Sequence, residues 1–358
     1  MNKKELKNNQ LNKRQDYIMR LFEKQETFSI SIGMLGKYIN EALGHVSKIT
    51  LNRDLKRLLE FGYIIAKGKT RATVYTLSPR YQIIRTINPE EYFKTKTDER
   101  SVKEHFDFEI FSHLTDIFTS EEQQYLKTLN DIYKTNIKKH NKNSLKKEFE
   151  RLTIELSWKS SEIEGNTYTL LETEALILNK QEAPGHNKKE VIMILNHKAA
   201  LDYIQNNAKQ FKKISLREIK NIHNILTMKL GIKRGLRSSV VGIVGTKYKP
   251  LDNIYQIQEA MEKMERTVNS ESDPFAKAII FMALIAYIQP FEDGNKRTSR
   301  LFGNAILMAQ DYCPLSYRSV NEGEYKKAVI LFYEQGNIAY FKKLFIEQFE
   351  FAVKNYFR

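Results

Sequence analysis

The densest chemistry in the chain lies in one stretch: Gln289, Pro290, Phe291, Glu292, Asp293, Gly294, Asn295, Lys296 and Arg297, with Arg300 close behind. It joins two apolar segments that both read as helices, so Gly294 onward lies at a helix start. The free N–H groups there attract anions, and the helix dipole adds to this. Gly294 lets the backbone approach a phosphate with no side chain in the way. Asn295 can donate an amide hydrogen to a phosphate oxygen, and Lys296, Arg297 and Arg300 add positive charge. Asp293 is a hard oxygen ligand suited to magnesium, which takes one or two carboxylates plus phosphate oxygens. Phe291 is the apolar anchor of the loop. The ordered set predicts a site for a phosphate chain and its metal ion. Gln289 stands where a base would be useful, and a primary amide accepts no proton at neutral pH.

The elements that must position this loop are mostly helical. Residues 278–288 form the longest apolar run. It is too short for a bilayer, which needs about 20 residues, and reads as a helix buried on all sides. From about residue 145 to the end nearly every segment has helical periodicity, except 238–249, which reads as a short hairpin. Residues 81–144 read as a helical connecting region with exposed loops. His186, His197 and His223 fall in helical patterns and read as packing or surface residues.

Residues 1–80 form a separate pattern. One helix covers roughly 12–25, with Tyr17, Ile18, Leu21 and Phe22 on one face, and a second covers 32–43, ending near Gly44. Ser47 can cap a third over 48–61, whose apolar face is Ile49, Leu51, Leu55, Leu58 and Leu59, and Gly62 ends it. Two strands follow, 63–66 and 73–77, with 67–71 as the turn. Three helices and a basic hairpin resemble a winged helix-turn-helix domain. Lys48, Arg53, Lys56 and Arg57 lie on the polar side of its third helix, with Asn52, and Lys69 and Arg71 at the wing. Such a helix enters the major groove of DNA while the wing meets phosphates, and winged helices also serve as protein–protein modules.

Charge agrees with that division. The chain of 358 residues has a net charge of +15; residues 1–80 hold 16 Lys and Arg against 7 Asp and Glu, and the rest hold 42 against 36. The surplus is concentrated in the first quarter, which predicts a polyanion partner there. The single cysteine, Cys313, excludes an intrachain disulfide and a thiolate cluster, and fits a reducing compartment. With no signal-peptide pattern, the expected location is cytoplasmic.

The loop residues carry a resemblance. Phe291, Asp293, Gly294, Asn295, Lys296, Arg297 and Arg300 match the Fic signature, H-x-F-x-[D/E]-G-N-[G/K]-R-x-x-R, and the similarity covers about residues 145–350. It implies a mainly α fold: an all-helical Fic core with a short β-hairpin flap, preceded by the winged helix-turn-helix domain. The divisions expected are 1–80, 81–144 and 145–358, with an inhibitory helix near 145–165. The activity implied is transfer of AMP from ATP with Mg2+ onto a Ser, Thr or Tyr hydroxyl of a target protein. Gly235, Leu236 and Arg237 lead into a segment similar to the family's flap, whose Gly245, Thr246, Lys247 and Tyr248 would hold the target by strand addition.

Ser160, Glu164 and Gly165 resemble the family's inhibitory motif. Ser160 and Glu164 share a helix face at i, i+4, and Gly165 and Asn166 read as the helix end, where a carboxylate is disfavoured unless a cation pairs with it. By resemblance that cation is Arg300, which otherwise takes the γ-phosphate. The family's base is a histidine at the position of Gln289. Three readings follow: a naturally degenerate protein that binds nucleotide without transferring it, a true transferase deliberately inactivated at this position, or a site in which another group, such as Glu164 orienting water, substitutes. The other partners expected are DNA through residues 1–80 and no membrane, with a homo-oligomer allowed.

Overall fold

The computed structural model describes residues 11–23 and 29–358, without the side chain of Arg71. The chain divides into two compact units, one of residues up to 88 with 113–119, the other of 89–112 with 120–358. The region 81–144 is therefore split between the two units and is not a separate connector.

In the first unit, α1 (Lys13–Glu23) buries Ile18, Met19 and Phe22, while Tyr17 and Leu21 lie half-buried beside them. A short strand absent from the sequence expectation, β1 (Ile30–Ser31), leads into α2 (Ile32–Leu43), whose N-cap is Ser31. Ser47 caps α3 (Lys48–Glu60) by accepting from the N–H of Thr50. The core face of α3 is Leu51, Leu55 and Leu58. Ile49 and Leu59, expected in that face, are instead 67% and 37% exposed. Leu59 sits at the flank of the stripe that meets the core, and Ile49 lies on the opposite face of the helix. The strands β2 (Ile64–Lys67) and β3 (Val74–Leu77) pair antiparallel with Ile64 opposite Leu77, and β1 joins the other edge of β3, giving the order β1-β3-β2. Gly68 is required at their turn: its φ is +90°, and a Cβ there would meet the carbonyl oxygen of Ala72 at 2.5 Å.

The second unit is built from α4 (Ser120–Ile137), α5 (Lys142–Glu162), α6 (Leu170–Asn179), α7 (Lys188–Asn206), α8 (Leu216–Leu226), α9 (Ile254–Ser270), α10 (Pro274–Ile288), α11 (Asn295–Met308), α12 (Glu322–Gln335) and α13 (Ala339–Asn355), with single-turn helices between some of them. Every residue of α10 after Pro274 is buried, as its unbroken apolar sequence requires. α11 packs on α10, α8, α7 and α5, so both helices flanking the loop at 289–294 are held from several sides. At Gly303 of α11 the packing leaves no room for a side chain: an added Cβ would lie 2.6 Å from the sulfur of Met282 on α10.

The expected hairpin at 238–249 does not form. No strand ladder spans these residues; a turn at Val244 and Gly245 separates two irregular extended stretches. The backbone finds other partners. Gly245 O accepts from Arg100 at 2.7 Å, Ser239 O and Leu251 O accept from Arg237, and Lys249 makes a parallel bridge with His105. Among the described residues no helix is long and apolar enough to cross a membrane.

Candidate functional site

Gln289 ends α10 in the left-handed region, with φ 50° and ψ 57°. This turns the chain sharply into the loop. Its side chain is buried and fully engaged. Nε2 donates to the carbonyl of Ala286 at 2.7 Å and to the hydroxyl of Tyr333 at 3.3 Å, and Oε1 accepts from Nδ2 of Asn295 at 3.0 Å. Asn295 donates its other amide hydrogen to Phe291 O at 2.8 Å and accepts from Phe291 N at 2.9 Å. Asn295 is therefore a staple across the loop. Both hydrogens that could have met a phosphate oxygen are used within the protein, which corrects the role read for it from sequence.

Phe291 is fully buried, with the imidazole of His223 on α8 stacked on its ring at 3.8 Å. Nε2 of His223 donates to Asp293 O at 2.9 Å. Burial, with the Arg297 charge adding to it against the pull of Asp293, lowers the His223 pKa to about 4, so the ring is neutral at physiological pH. Gly294 has φ +82°, and a Cβ there would crowd Thr227 at 3.2 Å and the Arg297 guanidinium at 3.5 Å.

The cations behind the loop differ in surroundings. No side chain caps the first turn of α11, so this helix end is open to an anion. Arg297 and Arg300 are both buried; Nη1 of Arg297 has no hydrogen-bond partner, and the Arg300 guanidinium also meets the side chain of Tyr325. A buried unpaired N–H group is costly unless something fills the space it faces. Lys296 is more exposed. Asp293 is largely exposed; Oδ1 accepts from Gly294 N at 2.6 Å and Oδ2 from Arg297 at 2.9 Å. Among the described residues no group of three His, Cys, Asp or Glu side chains could hold a metal unaided. Asp293 thus fits magnesium only as a single carboxylate beside phosphate oxygens.

Ser160 and Glu164 come to Arg300 from α5. Arg300 Nε donates to Ser160 Oγ at 2.8 Å, and Nη2 donates to Ser160 O at 2.8 Å and to Glu164 Oε1 at 2.9 Å. Lys296 Nζ reaches Glu164 Oε2 at 3.2 Å. Glu164 is not in the last helical turn, as its spacing suggested, but two residues past Glu162, where α5 ends. The chain closes there through Gly165 N to Glu162 O at 2.8 Å and Asn166 N to Ser161 O at 3.1 Å, with Gly165 at φ +92°. This double closure is a Schellman motif, and it accounts for the glycine. Burial alone would raise the Glu164 pKa; Arg300 and Lys296 outweigh it and hold the carboxyl at about 2.

Two positioning residues were missed from sequence. His197 is completely buried on α7 and bonds Ser160 Oγ through Nε2 at 2.9 Å, with burial and then the Arg297 and Arg300 charges holding its pKa at about 3. Arg237 is buried and donates to the carbonyls of Gln289 at 2.6 Å, Ser239 at 2.7 Å and Leu251 at 2.5 Å. It ties the loop to the segment expected as a flap.

In that segment Val240 and Val244 are 78% and 96% exposed. A cleft of about 700 Å³ runs along it, lined among others by Phe106, Ile243, Lys247 and Leu251. The loop residues Gln289, Asp293, Arg297 and Arg300 do not line it. Thr246 and Lys247 border the cleft, and Gly245 is held by Arg100. Tyr248 is only 2% exposed; its hydroxyl donates to Tyr287 O and its ring packs with those of Tyr287 and Tyr333 in a cluster of three. Its role is to anchor the segment, not to offer a surface to a target.

Of the residues read as contacts for DNA, Lys48, Arg53, Lys56 and Lys69 are exposed, while Arg57 is half-buried, bonded to Glu60 at 3.4 Å and lying over the ring of Phe61. The side chain of Arg71 lies outside the described residues.

Comparison with known proteins agrees with the loop. The chain is 32% identical over 176 residues to protein adenylyltransferase Fic of Nematostella vectensis, covering 46% of this chain and 40% of that protein. It is 32% identical over 158 residues to the Drosophila ananassae protein of the same name, covering 43% and 31%. The chain thus spans less than half the length of these relatives. In structure it is similar to Fic-1 from C. elegans, with a TM-score of 0.56 at 19% identity over 66% of this chain and 71% of that one. A Fic domain containing signaling protein from Bacteroides thetaiotaomicron gives a TM-score of 0.55 at 19% identity, over 64% and 94%. Residues 213–307 match the model of the Fic/DOC family.

Proposed function

We propose that the chain is an autoinhibited scaffold of the protein adenylyltransferase type, which binds ATP with Mg2+ and transfers AMP poorly. The observation that carries this is the buried guanidinium of Arg297, with an unpartnered Nη1, in the uncapped first turn of α11, and that of Arg300 further along the helix, tied to Glu164. They fit a phosphate chain. The open N–H groups of α11, Lys296, Arg297 and Arg300 would hold it, with Asp293 beside the metal ion. When bound, the nucleotide would supply an α-phosphoryl group for a protein Ser, Thr or Tyr hydroxyl, the α–β phosphoanhydride bond breaking as the new ester bond forms and pyrophosphate leaving. Names of the curated relatives support adenylyl transfer as the reaction class.

Two features limit turnover in this reading. Glu164 occupies Nη2 of Arg300 and the ammonium of Lys296, so a γ-phosphate must displace it. Gln289 cannot take the proton of an attacking hydroxyl, and general base catalysis is worth roughly 10²–10⁴-fold. Calorimetric titration of Mg-ATP into the chain and into Glu164→Gly tests the pocket and its block together. Tighter binding in the variant supports the reading; absence of binding in both overturns it.

A second reading is favoured by the Gln289 network and by the first unit. A site whose amide is locked in place suits nucleotide sensing, and the order of elements from α1 to β3, with β1-β3-β2 in the sheet, matches a winged helix-turn-helix. In this reading the chain is a nucleotide-sensing, DNA-binding regulator.

A further inference from the structure

We propose that residues 92–107 form a splint that fixes the segment 238–249 in place for target docking, with Arg100 as its positioning residue. The proposal rests on the transferase reading and adds to it what holds the docking edge. Every contact involved lies within the second unit, which includes residues 89–112.

Arg100 is only 6% exposed, and Glu334 on α12 is completely buried. Nη2 of Arg100 donates to Glu334 Oε1 at 2.9 Å and to Gly245 O at 2.7 Å. The hydroxyl of Tyr92 donates to the other oxygen of Glu334 at 2.7 Å. A guanidinium held by a buried carboxylate has its planar fork fixed in direction. The carbonyl it also grips is then fixed with it, and that carbonyl belongs to the turn of the segment, where Gly245 has φ +87°.

The splint is itself attached to the helices of the site. Lys103 N donates to Glu334 O at 2.9 Å. Phe106 stacks on the ring of Tyr287 at 4.7 Å, and Asp107 N donates to the Tyr287 hydroxyl at 3.0 Å. Tyr287 lies just before Gln289, and Tyr333, the neighbour of Glu334, meets the Gln289 amide. Splint, segment and residue 289 thus share one frame. On the far side of the turn, Lys249 N donates to Glu104 O at 2.7 Å, and His105 bridges to Lys249. The ion pairs of Lys247 and Lys249 with Glu104, at 3.8 Å, are partly exposed and add little.

This arrangement explains how the segment keeps its place without a hairpin. Its later half is gripped at Gly245 and Lys249, while the backbone of 240–244 makes no hydrogen bond among the described residues. An extended target pairs where main-chain groups are free, so 240–244 is the edge left to it. A displacement of about 1 Å in a positioning element can cost roughly 10²-fold in rate, which is the use of a buried clamp at the turn.

The first test uses the full chain and needs no target. Backbone hydrogen exchange over 238–249 is read by mass spectrometry in the chain, in Arg100→Lys, and in Arg100→Met combined with Glu334→Gln. The combined variant leaves no buried carboxylate unpaired, and its amide still accepts from Tyr92. We expect exchange at 245–249 to be at least about tenfold faster in the combined variant, with Arg100→Lys in between and α10 and α11 unchanged. Unchanged exchange at 245–249 would overturn the splint, and so would acceleration spread equally through α10 and α11.

The second test places the same substitutions in Glu164→Gly with Gln289→His and follows radiolabel from ATP into a pool of random short peptides, each carrying one Ser, Thr or Tyr. The combined variant should raise the KM for the pool at least about tenfold and leave the KM for Mg-ATP unchanged, with Arg100→Lys restoring part of the loss. A change in both constants, or in neither, would overturn Arg100 as a positioning residue. No labelling by the parent would overturn the transferase reading and docking along 240–244 with it, while exchange decides the splint separately.

Discussion

Nδ2 of Asn295 donates to Oε1 of Gln289 at 3.0 Å, so the loop's amide and the residue at the position of the family's base are locked to each other. Gln289 is also tied to Ala286 and Tyr333, and through its carbonyl to Arg237. The glutamine does structural work that a base would not have to do. It holds the loop, and as an amide it accepts no proton at neutral pH.

Restoring a base should therefore restore chemistry. Gln289→His combined with Glu164→Gly is expected to raise AMP incorporation by roughly 10²–10⁴-fold over Glu164→Gly alone. Radiolabel transfer from ATP to protein measures it. Equal labelling in the two variants would place the limit elsewhere than at residue 289.

Arg300 should separate nucleotide binding from folding in the first unit. Arg300→Ala is expected to weaken Mg-ATP binding at least about tenfold in the Glu164→Gly background, through loss of a buried charge-assisted contact. Calorimetry gives the affinity. An unchanged constant would remove Arg300 from the phosphate site.

The Glu164 contact has a defined pH window. A carboxyl shifted from 4.5 to about 2 has its folded-state pKa lowered. Its contribution, roughly 3 kcal/mol at most, is fully present above pH 4.5 and disappears as pH falls through about 2. The stability difference between the chain and Glu164→Gln should thus be constant above about pH 5 and shrink in acid, read by denaturant melts. The window also means that mild acidification does not open the site.

His197 titrates in the other range. It is held neutral, with its pKa lowered from 6.5 to about 3. The unfolded chain binds a proton that the folded one refuses, so stability should fall as pH drops from 6.5 towards 3. His197→Gln is expected to lose stability near neutrality but to show a shallower pH dependence over that range. Parallel curves would show that His197 does not set the slope.

Gly303→Ala should destabilise the second unit by about 1–3 kcal/mol, because a Cβ would press on Met282 inside a packed core. Thermal melts decide. Met282→Ala should relieve part of the strain, and no relief would mean that the contact is not the cause.

The loop at 289–300 was legible because its residues are consecutive and each has a local chemistry. The buried helix before it was legible from an unbroken apolar run. The pairing of Glu164 with Arg300, 136 residues apart, came from resemblance alone, since nothing local to either names the other. Arg237 and His197 escaped for the same reason: their partners are carbonyls and a hydroxyl gathered by the tertiary fold. Ile49 was misplaced because it was assigned to the core by its apolar type, although its position on the helix lies opposite Leu51, Leu55 and Leu58. The strands expected at 238–249 failed because their backbone groups find Arg100, Arg237 and residue 104 instead of each other.

The closure of α5 at Gly165 separates the two attachments of Arg300. Ser160 belongs to the helix body and is completely buried, while Glu164 lies beyond the last turn. Unravelling that one helix end would withdraw the carboxylate and leave the guanidinium clamped by Ser160 at Nε and Nη2. The site would then open already preorganised, with its cation aimed before any nucleotide arrives, and the barrier to opening would be that of local fraying at a single terminus.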